Sequence, residues 1–163
     1  METVLILDFG AQYSQLIARR VREQNVYCEV KPCSISPDEI RELAPIGIIL
    51  SGGPQSVYES VSLHVDPALF SLGIPVLGIC YGCQLMAYSL GGTVAAATEA
   101  TAREYGKTLT EFDTESAIFH GLPASSVTWM SHGDYISQVP DGFTVTAKTA
   151  VCPTAAMACP EKK

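Results

Sequence analysis

The chain has 163 residues, 47% of them apolar, enough for one domain to bury a core without help from disulfides or a structural metal. Seventeen acidic residues against ten basic ones leave a formal charge of -7, which argues against nucleic acid and anionic membrane surfaces as partners. Met1-Glu2-Thr3 has no basic leader character, no apolar run approaches the roughly 20 residues that span a bilayer, and six cysteines are too sparse for a secreted disulfide scaffold, so the expectation is a cytoplasmic protein with reduced thiols.

Up to Gly92 the pattern alternates between short β-branched runs and segments of helical period, which predicts α/β architecture with a mainly parallel sheet covered by helices on both faces. Residues 4–7 read as a first strand and 12–23 as a helix with Leu16, Ile17 and Val21 on one face. Residues 26–30 read as a second strand. Ser36-Pro37-Asp38-Glu39 carries a capping serine, a first-turn proline and two acids at the positive end of a helix. Residues 46–50 are almost wholly apolar, as a strand buried on both faces should be. A fourth strand over 75–79 and a helix over 84–90, stopped by Gly91-Gly92, complete this half. Beyond it the pattern is mainly β, with strands at Ser126-Val127-Thr128-Trp129 and Phe143-Thr144-Val145-Thr146-Ala147 and a turn at Pro140-Asp141-Gly142.

The chemistry concentrates where the fourth strand meets its helix, in Gly78-Ile79-Cys80-Tyr81-Gly82-Cys83-Gln84. A strand that passes through one residue into a helix resembles the G-x-S-x-G nucleophile elbow with sulfur in place of oxygen. Gly78 and Gly82 would let backbone pass where a β-carbon would clash. The helix start would offer N–H groups and partial positive charge, which favour a thiolate and an oxyanion. Three other readings of the cysteines stand beside this one. Cys80 can be a small buried hydrophobe, or Cys80 and Cys83 a C-x-x-C redox pair, or the cysteines zinc ligands, although Cys28, Cys33, Cys152 and Cys159 supply no second closely spaced pair. Ser51-Gly52-Gly53-Pro54 follows the third strand, at the sheet end where ligands collect, and reads as an anion nest or an ordinary turn. Arg19, Arg20 and Arg22 read as a solvated face, His64 and His120 as loop and turn residues, and Met86 and Tyr88 as helix packing.

Together with Leu7-Asp8-Phe9-Gly10-Ala11-Gln12-Tyr13 and Trp129-Met130-Ser131-His132-Gly133-Asp134, these motifs resemble the class I glutamine amidotransferases, and within them the amino-terminal domain of the GMP synthetases. The resemblance covers the chain from Val4 to about Lys162 and implies a flavodoxin-like sheet with a mainly β second half. It implies that Cys80 attacks the side-chain amide of glutamine, giving a γ-glutamyl thioester and ammonia. The backbone N–H groups of Gly53 and Tyr81 match the oxyanion hole. Gln84, Ser131, Gly133 and Asp134 match substrate-binding positions, and Cys83 stands where the family often has methionine. No cofactor or metal is implied for this chain; ATP and magnesium would belong to a synthetase domain that aminates xanthosine monophosphate to GMP.

One departure bears on activity. The family completes its triad with histidine and glutamate in a Phe-His-Pro-Glu segment, which falls beyond the equivalent of Lys163. Cys159-Pro160-Glu161 resembles that segment only by coincidence of position, and His132 belongs to a substrate-shaping motif in which it could act only weakly as a base. The expectation is a 163-residue amidotransferase domain, incomplete at its C-terminus and without the synthetase domain, that alone has little glutaminase activity. Two alternatives are a noncatalytic glutamine-pocket subunit docking on a synthetase and, less in keeping with the motifs, a thiol-disulfide oxidoreductase using Cys80 and Cys83.

Overall fold

A computed structural model describes residues 2–97 and 103–162. The chain divides into two compact units: one runs to Ser89 and takes in Glu161, the other is Leu90–Pro160. No described helix is long and apolar enough to cross a membrane.

In the first unit, β1 (Thr3–Asp8) lies between β2 (Tyr27–Pro32) and β3 (Gly47–Leu50), and β4 (Val76–Gly78) pairs with β3, all in parallel. The order β2-β1-β3-β4 is flavodoxin-like. The chain steps to one side from β1 to β2 and back across β1 to reach β3. Right-handed crossovers therefore put α1 (Ser14–Glu23) and α2 (Pro37–Leu43) on opposite faces of the sheet. The same reversal makes the carboxyl ends of β1 and β3 a topological switch point, where open α/β sheets bind ligands.

Alternation along the strands sorts the core. Ile6 packs with Ala18 and Cys28 on one face, joined by Ile17, Val21, Val30 and Ile49. Leu5, Leu7, Ile48 and Leu50, one residue out of phase, are buried on the other. The third strand is thus covered on both sides, as its composition implies. α2 starts as read from sequence: the Glu39 N–H donates to Ser36 Oγ at 3.2 Å, and the Ser36 N–H donates to Glu39 Oε2 at 2.9 Å, a complete capping box.

Three local expectations are corrected. Leu16 does not share a face with Ile17 and Val21 but is 47% exposed; the sheet-facing stripe runs through the buried Ser14 and Ala18, and Leu16 lies ~200° around the helix from Ser14. The helix after the fourth strand, α3 (Tyr81–Ser89), begins directly after Cys80 rather than at Gln84. Tyr88 does not pack into the core with Met86; it is exposed, with its ring 6.3 Å from that of His64, itself an exposed loop residue. His120 occupies an exposed turn, as expected. The arginine cluster on α1 is a solvated face as read, with Arg19 and Arg20 paired to Glu23 and Arg22 reaching the Cys28 carbonyl.

The second unit is mainly β. β6 (Glu104–Phe112), β7 (Ser125–His132), β9 (Thr144–Thr149) and β10 (Ala156–Ala158) form an antiparallel sheet in the order β10-β9-β6-β7. β5 (Thr93–Ala96) pairs antiparallel with β8 (Asp134–Gln138). The turn at 140–143 closes through the Phe143 N–H to the Pro140 carbonyl at 3.1 Å, with Gly142 at φ +84°.

None of the six cysteines, all among the described residues, is in a disulfide. Burial pushes the thiols of Cys33, in the first unit, and Cys152, in the second, above the ordinary thiol value. The unfolded chain ionises these thiols at the ordinary value while the folded chain keeps its protons. Stability is therefore expected to be full below about pH 8.5 and to fall as pH rises through the raised folded values. Denaturant midpoints at pH 8 and pH 10 check this. A difference unaltered in a Cys33→Ala, Cys152→Ala double variant would show that these thiols do not carry it.

Candidate active site

β4 ends at Gly78 and α3 begins at Tyr81, so the chain turns from strand to helix at Cys80. Cys80 has φ +53°, in the left-handed region, which costs an L-residue about 1–2 kcal/mol, and its side of the turn is exposed. The surroundings hold it there. The Ile79 N–H donates to the Leu50 carbonyl and the Gly82 N–H to the Ser51 carbonyl, each at 3.0 Å, and the Gln84 N–H donates to the Cys80 carbonyl at 3.1 Å. These bonds draw backbone so close that a β-carbon on Gly78 would lie 2.6 Å from the Cys83 nitrogen. One on Gly82 would lie 2.4 Å from the Leu50 carbonyl oxygen. Both glycines are steric requirements of the elbow.

The loop after β3 is locked by Ser51, which is fully buried. Its N–H donates to the Leu7 carbonyl at 3.0 Å, and its hydroxyl donates to the Gly52 carbonyl while accepting the Phe9 N–H at 3.1 Å. Gly52-Gly53-Pro54 is thereby fastened to the carboxyl end of β1. A β-carbon on Gly52 would sit 3.8 Å from that of Cys80, and one on Gly53 would sit 3.1 Å from the Phe9 carbonyl oxygen and 3.2 Å from Cγ of Tyr81. The loop therefore passes beside the thiol-bearing residue and across the Tyr81 ring. Tyr81 is itself buried, with its ring 5.4 Å from Phe9 and its hydroxyl donating to the Leu63 carbonyl; burial pushes its phenol up. Gln84, one helical turn beyond Cys80, is a buried polar side chain.

Ser131, Gly133 and Asp134 lie in the second unit, where β7 ends at His132 and β8 begins at Asp134. His132 Nδ1 is 3.0 Å from the Asp134 carbonyl oxygen and its Nε2 is 3.1 Å from Glu104 Oε2. Glu104 Oε1 accepts the Thr149 hydroxyl at 2.6 Å, and the Thr149 oxygen accepts the Cys152 N–H at 2.9 Å. Ligand atoms of Glu104, His132 and Cys152 lie within 4.8 Å of one another, a donor set a metal can use. Here both carboxylate oxygens and both ring nitrogens are already engaged in hydrogen bonds.

The family model for glutamine amidotransferase class-I matches residues 5–163. The chain belongs to the class I glutamine amidotransferases. Curated relatives agree: a glutamine-hydrolysing GMP synthase of Clostridium botulinum (strain Alaska E43 / Type E3) is 55% identical, and one of Lactobacillus acidophilus 52% identical, each over 99% of this chain. The chain spans 31% of the length of those relatives. Among solved structures, a Thermoplasma acidophilum protein assigned to GMP synthase as one of its subunits is 30% identical, with a TM-score of 0.85 over 98% of this chain and 79% of that one. A glutamine amidotransferase from Thermotoga maritima, 22% identical, shares the fold with a TM-score of 0.73 over 96% of this chain and 71% of that one.

Of the residues that the amidotransferase resemblance singled out, the structure gathers Cys80, Gly53, Tyr81 and Gln84 around the elbow of the first unit and places Ser131, Gly133 and Asp134 at the β7–β8 junction of the second. Sequence reasoning overlooked Phe9 and the anchoring role of Ser51, although both sit inside quoted motifs. It also overlooked Glu104, which bonds His132, and Thr149, which holds the other Glu104 carboxylate oxygen. No local signal marks those, because Glu104 meets His132 only through the β6–β7 register.

Proposed function

We propose that this chain is the glutamine-hydrolysing part of a GMP synthetase, delivering ammonia to an ATP-dependent synthetase domain or subunit. The observation that carries it is Cys80 held at φ +53° between Gly78 and Gly82, where a strand meets a helix. The Cys80 sulfur attacks the side-chain amide carbon of glutamine. The carbon–nitrogen bond breaks, the thiol proton ends on the amide nitrogen, and ammonia leaves. Water then cleaves the thioester to glutamate and restores the thiol. The N–H groups of Gly53 and Tyr81 are assigned to the oxyanion, Gln84 to holding the substrate side chain, and Ser131, Gly133 and Asp134 to its α-amino and carboxylate groups.

Naming of the curated relatives as glutamine-hydrolysing GMP synthases supports the destination of the ammonia, and their greater length supports a synthetase partner. ATP and magnesium are assigned to that partner and none to this chain, and the cytoplasm is the expected compartment. Membership of an amidotransferase family favours hydrolysis over a noncatalytic pocket, and an elbow built around one cysteine favours it over a redox pair. Amide-labelled glutamine, given with ATP, magnesium and xanthosine monophosphate to the natural polypeptide that carries this sequence, is expected to yield labelled GMP. Labelled ammonia without labelled GMP would remove the GMP assignment, and no release of label would remove the amidotransferase reading itself.

A further inference from the structure

We propose that Glu104 and His132 are a positioning pair that sets the backbone of residues 131–134 for glutamine, an inference that rests on the substrate role given to that segment above. The segment spans the place where the chain leaves one sheet and joins another: β7 pairs with β6, and β8 pairs with β5. Ser131 and His132 pair with Tyr105 and Glu104, and Asp134 pairs with Ala96, while Gly133 between them belongs to neither ladder. Two bonds cross the junction. The Ala97 N–H donates to the Gly133 carbonyl at 3.0 Å, and the His132 ring reaches forward to the Asp134 carbonyl.

The second bond determines how His132 is used. A carbonyl oxygen only accepts, so Nδ1 carries hydrogen. Nε2 then faces Glu104 Oε2, with a single proton between them, and Thr149 holds the other carboxylate oxygen. Glu104 and His132 are direct register partners on β6 and β7, with side chains only 4% and 14% exposed. Each of the four polar atoms of the pair therefore has one partner, in a site that water scarcely reaches. Removing either residue leaves the other buried without that bond and loosens the hold of the His132 ring on the Asp134 carbonyl. His132 in this arrangement is a positioning residue, with neither ring nitrogen open to act as a base.

The test uses the natural polypeptide that carries this sequence, with Cys80→Ala to prevent turnover, and measures L-glutamine binding by calorimetry. His132→Phe keeps the ring's bulk and loses both bonds; it is expected to weaken binding by roughly tenfold or more. Glu104→Leu should do the same. Glu104→Gln is the conservative rescue: its amide N–H can donate to Nε2 while Nδ1 still donates to Asp134, so affinity should stay within about threefold of the parent. Nitrogen-15 spectra of the parent should show hydrogen on Nδ1 of His132, a signature that packing alone does not require.

His132→Phe, or Glu104→Leu if the former does not fold, binding glutamine as tightly as a parent that does bind would overturn the pair's role alone. So would Nδ1 without hydrogen, or uptake of Zn2+ that removes it. A parent that fails to bind glutamine would instead sink the functional reading beneath it.

Discussion

Replacing Cys80 with alanine is expected to abolish glutamine-dependent ammonia release, by about 10⁴-fold or more, because no second step can proceed without the thioester. The neighbouring cysteine supplies the control. Cys83 is partly buried within the first turn of α3, past the position that the elbow exposes. Cys83→Ala should change the rate by no more than about threefold, less than the tenfold that 1.4 kcal/mol represents. Equal loss in the two variants would revive the redox pair. A third variant separates chemistry from strain: Cys80→Gly is also inactive, yet glycine tolerates φ +53°, so its unfolding free energy should rise by about 0.5–1 kcal/mol. Denaturant titrations of Cys80→Ala and Cys80→Gly side by side check this, and a Cys80→Gly chain no more stable than wild type would mean that the elbow stores no strain.

Gly82→Ala is expected to be the most damaging single methyl addition in the first unit. Its β-carbon would lie 2.4 Å from the Leu50 carbonyl oxygen and 2.6 Å from the Leu50 β-carbon, both fixed parts of the buried sheet. Relief requires α3 to lift away from β3, which breaks the bond from the Gly82 N–H to the Ser51 carbonyl and uncovers apolar surface. The cost should be on the order of 3 kcal/mol, lowering the melting midpoint by roughly 10 °C in a chain of this size. Gly47→Ala is the matched control, since its added carbon meets nothing nearer than the Pro75 carbonyl at 3.8 Å, an ordinary contact. Activity should fall with Gly82→Ala even where the protein remains folded, because the same displacement moves Cys80 against the Ser51-Gly52-Gly53 loop. Unchanged melting would show that the helix can shift without loss.

Much of this was legible beforehand because it is local. The helix start at Ser36, the strand-to-helix turn at Cys80 and the glycines around it are written in consecutive residues, and consecutive residues determine turns and caps. Leu16 and Tyr88 were misplaced because apolarity does not say which side of a helix meets the sheet; Ser14 and Ala18, small and unremarkable in sequence, allow α1 to approach closely.

From the sequence alone came the candidate nucleophile, its flanking glycines, the parallel first half and the β second half, all features set by residue type and near neighbours. Only the tertiary structure decided why Gly82 must be glycine, through Leu50 on another strand, and how Ser51 ties its loop to β1. It alone joined His132 to Glu104, 28 positions away, and turned a candidate base into a buried anchor. The physical reason is common to all three. Each depends on a close approach between distant segments, and such contacts follow from strand register and packing, which no short stretch of sequence contains.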